Sequence, residues 1–212
     1  MTDALESTLR QAAAALPADP PPRFDTEAAA AASLIDVAYA HHETPVGTLV
    51  LAATHRGLVR VAYADDDESF EATLSALART VSPRVLAAPR RLDAARRELD
   101  EYFAGTRNRF ELPLDWRLTH GFARRVLRST ARIPYGSVSS YGRVAAAAGS
   151  PRGSRAAGNA LGANPLPIVV PCHRVLHSGG GLGGYTGGVE RKLVLLAIEG
   201  GATDGEPTRG GS

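Results

Sequence analysis

Pro-Cys-His-Arg-Val, residues 171–175, sets a thiol, an imidazole and a guanidinium side by side. Cys172 is the single cysteine of the chain, so it makes no intrachain disulfide and no multi-cysteine zinc site. A thiol with an ordinary pKa near ~8.5 is only slightly ionised at neutral pH. A nearby imidazole raises the thiolate fraction by holding the proton. Adjacency in sequence does not by itself put the His173 ring on the sulfur. A lone cysteine is usually a small buried hydrophobe, but Pro171 before it and His173-Arg174 after it favour a reactive thiol. A second oddity closes the apolar run LVLLAIEG, in which Leu193, Leu196 and Ala197 are expected to face the core. Glu199 stands near a helix C-terminus, where the macrodipole disfavours a carboxylate. Either it reaches solvent, or it orients His173 as the third member of a nucleophile–base–orienter relay.

Several elements must position these groups. Ile168-Val169-Val170 reads as a buried strand, which Pro171 ends by withholding an N–H. The run GGGLGGYTGG, residues 179–188, lacks the Gly-Lys-Ser/Thr of a triphosphate loop. It either lets backbone approach a flat ligand closely, with Tyr185 nearby, or supplies flexibility alone. Upstream, THGFARRVLRSTARI predicts an amphipathic helix with Phe122, Val126 and Leu127 inward and Arg124, Arg125 and Arg128 outward. SSYGRVAAAAG predicts a short helix closed by Gly149, and SRAAGNALGAN a second one after the turn SPRG. Together they have the outline of a helix-turn-helix. Ala156, Ala157, Gly158, Ala160 and Gly162 leave that second helix almost without bulk. It can therefore lie close against another backbone. Arg155 is its one long cation, suited to a phosphate or to wedging into a base stack.

The 212 residues are 44% hydrophobic and 22% charged, which are globular proportions. No apolar run approaches the ~20 residues that span a bilayer, and MTDALESTLR is no secretory signal. A cytoplasmic protein without membrane contact is expected. The net charge of +2 hides an asymmetry: residues 116–200 carry eleven basic and two acidic side chains. Such a segment is a footprint for a polyanion. Four stretches follow. Residues 1–35 form an Ala/Pro-rich extension with helix-prone alanine runs. Residues 36–115 form a small α+β domain. Residues 116–200 form a mostly helical domain, and 201–212 a flexible tail. In the second stretch DVAYAHHE, TLVLAAT and LVRVAYA read as an antiparallel meander. ESFEATLSALART reads as a helix through Phe70, Leu74 and Leu77. PRRLDAARRELDEYFAG reads as a stronger one, with Pro89 in its first turn and Gly105 closing it. His41 and His42 point to opposite faces of a strand and make a poor metal chelate.

Taken together, NPLPIVVPCHRV, GYTGG, RKLVLLAIEG and the pair SYGRVA and SRAAGNALG resemble the O6-alkylguanine-DNA alkyltransferases, the methylated-DNA–protein-cysteine methyltransferases. The strong part of the resemblance runs from about Phe122 to Gly200. It is looser over 36–115 and absent from both ends. It implies an α+β fold: a small N-terminal domain with an antiparallel sheet plus helices, then a mostly helical, winged-helix-like domain with a helix-turn-helix. It implies that Cys172 accepts the alkyl group, that His173 acts through a water as its base, and that Glu199 orients His173. Asn164 would brace the turn leading to the active-site strand. Tyr141 would press on the 3′ phosphate of the target nucleotide and donate to its base. Arg155 would fill the gap left by that nucleotide, on a helix whose small residues, Ala156 and Gly158 among them, allow entry into the minor groove. The carbonyls of Cys172 and Val175 would accept from the guanine amine, and the Thr186 N–H would donate to its oxygen. Pro167 and Tyr185 would wall the pocket.

The expected reaction is stoichiometric and single-turnover, on duplex DNA containing O6-alkylguanine. The expected chain needs no cofactor and no metal and acts as a monomer, with clustering along DNA left open. Three other readings compete: a non-catalytic alkyl-base binder, a helix-turn-helix regulator and a cysteine hydrolase.

Overall fold

The computed structural model describes residues 34–200. The helices expected before residue 34 and the tail from 201 lie outside the described residues. The three expected strands form: β1 (Val37–His42), β2 (Leu49–Thr54) and β3 (Gly57–Tyr63) make an antiparallel meander. A fourth, β4 (Val85–Ala87), pairs parallel with β1 at the far edge, so the sheet is mixed, in the order β3-β2-β1-β4. Three residues between Pro83 and Pro89 carry too short a pattern to read. Their pairing is made by the return of α1 (Asp67–Thr80), whose start is fixed by a capping box between Asp66 and Ser69.

The alternation of the strands divides the sheet into two faces. On one, Val37, Ala52 and Val59 meet Leu77 of α1. On the other, Leu49, Leu51, Leu58 and Val61 join Leu92, Leu99 and Tyr102 and continue into the helical half of the chain. Leu92 ends a 3-10 turn, Pro89–Leu92, that leads into α2 (Asp93–Phe103). Gly105, at φ 72°, closes this helix as expected. His41 stacks on Phe70 at 4.4 Å, whereas buried His42 lies 2.9 Å from Asp100, so the two rings do part to opposite faces.

The helical half contains α3 (Gly121–Thr130), α4 (Tyr141–Ala147) and α5 (Ser154–Gly162), which contact one another pairwise, and α6 (Val189–Ile198). Val126 and Leu127 of α3 are buried, and Arg125 and Arg128 are exposed as expected, with Arg124 half-buried. Arg124 donates to the Thr119 and Trp116 carbonyls, and Arg125 donates to Ala148 O at 2.9 Å. Arg128 stacks over Trp116. Ser140 caps α4, and Gly149, at φ 85°, ends its turn. Two short strands, β5 (Ser139–Ser140) and β6 (Val175–Leu176), pair in parallel and tie the start of α4 to the segment after Cys172.

Two expectations are corrected. In α6 the inward residues are Lys192, Leu195, Leu196 and the adjoining Glu199, while Leu193 is 38% exposed and Ala197 is also exposed. The stretch Leu193–Ile198 is apolar at every position and carries no phase of its own. The bonds made by Lys192 and Glu199 set it instead. Secondly, Ile168–Val170 is buried but is not a strand. Pro165, Pro167 and Pro171 remove donors around it, and the chain closes on itself through Val170 N–H to Leu166 O and Cys172 N–H to Val170 O. Ile168 sits at φ 72°, where a β-branched residue is strained.

Gly57 shows how closely the start of β3 is joined to the segment that ends the sheet half of the chain. It has φ 127°, and a Cβ there would lie 2.1 Å from the Pro113 carbonyl oxygen. That same oxygen accepts from Leu58 N–H, and Asp115 N–H donates back to Leu58 O, both at 2.8 Å. Gly57→Ala is therefore expected to destabilise the fold by about 2–4 kcal/mol, through strain and lost backbone pairing. Denaturant unfolding checks this, and an unchanged midpoint would contradict it.

Candidate active site

Asn164 follows directly on α5 and organises the turn that carries the thiol. Its side-chain amide donates to Val170 O at 2.8 Å, and its carbonyl oxygen accepts from Leu166 N–H at 3.0 Å. β3 holds the same turn from outside, through Val61 N–H to Pro165 O at 2.8 Å. The segment that Asn164 braces is thus a turn and not the expected strand. The amide makes a further contact that sequence reasoning missed, donating to Cys172 Sγ at 3.1 Å.

Cys172 opens a 3-10 turn, Cys172–Arg174, and is 5% exposed. Its exposed edge lines a cavity of about 600 Å³, together with Tyr141, Arg155, Gly158, Tyr185 and Thr186. The cavity also takes in His177, which sequence reasoning did not single out and whose ring lies 5.0 Å from that of Tyr141. The Tyr141 ring stands between two glycines. A Cβ on Gly158 would touch it at 3.8 Å, and one on Gly183 would collide with its hydroxyl at 2.5 Å. Thr186 binds the glycine-rich loop to the end of α5 by donating to Gly162 O at 3.2 Å. Tyr185 is held from the sheet by a 2.8 Å hydroxyl–hydroxyl bond with Tyr63. Tyr63 lies beneath the Arg191 guanidinium, which also donates to Val46 O.

Other expected site residues stand off the cavity. Pro167 is buried in the turn, between buried Leu166 and Ile168. Ala156 is exposed on α5, near exposed Arg155, with exposed Arg143 and Arg152 on the neighbouring segments. Val175 is fully buried, and its carbonyl already accepts from Lys192 Nζ at 2.8 Å.

Behind the thiol, His173 and Glu199 are buried as a pair, their side chains 0% and 1% exposed. Glu199 does not reach solvent. His173 Nε2 lies 2.8 Å from Glu199 Oε1. Two further partners were not foreseen. Arg174 grips both carboxylate oxygens, Nε to Oε2 and Nη2 to Oε1, each at 2.8 Å. Tyr102, from α2, donates to Oε1 at 2.7 Å. Neither partnership had a readable signal: Arg174 stands in the motif with nothing that points to Glu199, and Tyr102 is 97 positions away from Glu199.

These contacts set the protonation states. Burial would push the Glu199 carboxyl up. Hydrogen bonds from His173, Arg174 and Tyr102 outweigh it and hold the group down to about 2, as a carboxylate. Burial drives the His173 imidazole down, against the pull of the Glu199 bond and charge, and keeps it neutral. With Nε2 engaged, His173 Nδ1 is buried with no hydrogen-bond partner among the described residues. Burial lifts the Cys172 thiol to about 11, against the Asn164 amide and the Lys192 charge. Lys192, fully buried, is in turn depressed by burial to about 8. The resting thiol is thus protonated, and its ionisation needs a base. His173 has one free nitrogen to serve.

A family model described as the 6-O-methylguanine DNA methyltransferase ribonuclease-like domain matches residues 37–116. A second, the DNA binding domain of 6-O-methylguanine DNA methyltransferase, matches residues 121–201. A methylated-DNA–protein-cysteine methyltransferase of Mycolicibacterium paratuberculosis is 40% identical over 77% of this chain and 92% of its own. The constitutive enzyme of that name from Bacillus subtilis is 39% identical over 76% and 94%. Among solved structures, the Mycobacterium tuberculosis O6-methylguanine methyltransferase superposes with a TM-score of 0.66 at 34% identity, covering 82% of this chain and 96% of its own. The M. tuberculosis OGT in complex with DNA superposes with 0.65 at 35% identity, over 77% and 93%. With its α+β architecture and these matches across both halves, the chain belongs to the O6-alkylguanine-DNA alkyltransferase family, the methylated-DNA–protein-cysteine methyltransferases.

Proposed function

We propose that this chain repairs duplex DNA by moving an alkyl group, methyl in the simplest case, from O6 of guanine to Cys172 Sγ. The observation that carries the reading is a thiol at the edge of a cavity, with a buried histidine–carboxylate pair behind it and one imidazole nitrogen left free. In the step, the Sγ–carbon bond forms as the carbon–O6 bond breaks, and guanine leaves with the electron pair. The thiol proton passes to His173 Nδ1 by way of a water, and the net reaction returns one proton to guanine. Glu199 fixes the Nε2–H tautomer and stays ionised throughout. It does not take the proton, because Arg174 and Tyr102 hold it as a carboxylate.

The base must leave the stack before a buried thiol can reach it, at a cost of a few kcal/mol. α5 is suited to the minor groove: its outer positions Arg155 and Ala156 are exposed, and Gly158 lies against Tyr141. In this reading Arg155 occupies the vacated stack and Tyr141 meets the 3′ phosphate. The Thr186 N–H and the Cys172 and Val175 carbonyls read the guanine edge. A carbonyl has two lone pairs, so Val175 O can serve the base while it accepts from Lys192. The arginine-rich segment from 116 to 200 supplies salt-sensitive backbone affinity. A thioether is stable in this setting, so one chain repairs one base. Domain limits at 36–115 and 116–200, monomeric action and a cytoplasmic location complete the reading. Among the described residues no helix is long and apolar enough to cross a membrane.

Incubation with duplex DNA bearing O6-methylguanine should add one methyl group to the Cys172 peptide, read by mass spectrometry. The burst should end at one equivalent, and Cys172→Ser should abolish it. Unchanged mass with retained binding would instead indicate a non-catalytic alkyl-base binder, and turnover beyond one equivalent a hydrolase.

Glu199 also makes stability depend on acid. Its folded pKa, about 2, lies below the ordinary 4.5. Its contribution is therefore complete above pH 4.5 and is lost as pH falls towards 2. The stability gap between the unsubstituted chain and Glu199→Gln should narrow across that window in denaturant titrations. A constant gap would contradict an ionised Glu199.

A further inference from the structure

Tyr102 belongs to α2, in the half of the chain that carries no part of the reaction proposed above. It is 1% exposed, and its hydroxyl donates to Glu199 Oε1. That one oxygen also lies 2.8 Å from His173 Nε2 and accepts from Arg174 Nη2. Phe103, Phe110 and Tyr135 surround the Tyr102 ring at centroid distances of 5.2, 5.4 and 6.1 Å and fix its direction. A phenylalanine would fill this aromatic cluster equally well. The hydroxyl adds a directed donor to the carboxylate that orients the base. From this geometry we infer that Tyr102 is a positioning residue of the alkyl-transfer relay, through which the sheet half of the protein sets the basicity of His173. The inference rests on the alkyl-transfer reading above.

The direction of the effect follows from electrostatics. Each hydrogen bond donated to Glu199 withdraws negative charge from the face it turns to His173. Less charge there stabilises the imidazolium less, so His173 stays neutral and able to accept a proton at lower pH. Glu199, Arg174 and Lys192 act on the His173 ring, and the Tyr185 ring meets it edge-on at 6.3 Å. Tyr102, Arg174, His173 and Tyr135 act on Glu199. Among the described residues, Tyr102 is the one uncharged group besides His173 itself that is hydrogen-bonded to Glu199, so its hydroxyl can be removed without changing the formal charge of the cluster.

The test is the rate of alkyl transfer to Cys172 against pH, in Tyr102→Phe and in the unsubstituted full chain. The acid limb should move to higher pH by about half a unit in the variant, with DNA affinity unchanged. Tyr135→Phe is the control. It lies in the same cluster, but its hydroxyl donates to Ile198 O and not to Glu199, so the limb should stay in place. An acid limb identical in Tyr102→Phe and the unsubstituted chain, or shifted equally in both variants, would overturn the inference. Absence of transfer by the unsubstituted chain would instead overturn the function itself. Should Tyr102→Phe fail to fold, the ring-carbon NMR shift of Tyr102 in the unsubstituted chain replaces it. Titration in step with His173 supports the coupling, and a flat response over that range contradicts it.

Discussion

Burying a carboxylate is costly unless its oxygens are met by donors, and Glu199 is met by four: Tyr102 Oη, His173 Nε2, and Arg174 through Nε and Nη2. The remaining features of the site follow from this one buried anion. It holds the His173 ring by Nε2 and leaves Nδ1 free on the other edge. It draws Arg174 inward, and the other end of that guanidinium caps Ile133 O at 2.6 Å. It also sets the inward face of α6, because Glu199 and Lys192 have to face the interior to find their partners.

The sheet half of the protein takes no direct part in the proposed reaction, yet it meets the site at several points. Val61 holds the turn before the thiol, Tyr63 holds Tyr185, and Tyr102 holds Glu199. One apolar core runs from Leu49 and Leu51 of the sheet through Val126, Val144 and Ala157 to Cys172 and Leu195. Such continuity suits chemistry at a buried sulfur. The thiol sits on a turn with a strained Ile168, and it keeps a fixed position only if the surroundings over-determine that turn. Three neighbours do so: the Asn164 amide, the Val61 N–H and the close-packed apolar side chains.

The legible parts of the fold were those written in local patterns. Three strands showed through alternation, α1 and α2 through spacing, and the helix-turn-helix through glycines and small residues. The reactive motif was legible because Cys172 and His173 are adjacent, and Glu199 because an acid at the end of an apolar helix demands a reason. Partners made by tertiary contact were not legible. Tyr102 lies near the end of α2, and nothing near it in sequence points to Glu199. The strand expected at Ile168–Val170 failed because an apolar run records burial and not backbone shape. The prolines flanking that run were the better signal. The face of α6 failed for a related reason, since a helix apolar all round is phased by its few polar residues.

In the proposed reaction Glu199 holds a neutral His173 by Nε2–H, so that Nδ1 is the atom that receives the Cys172 proton. Nitrogen NMR of the His173 ring in the resting protein at neutral pH tests it most directly. A protonated, pyrrole-type Nε2 and an unprotonated, pyridine-type Nδ1 are expected. Two protonated nitrogens, or the proton on Nδ1 alone, would contradict it.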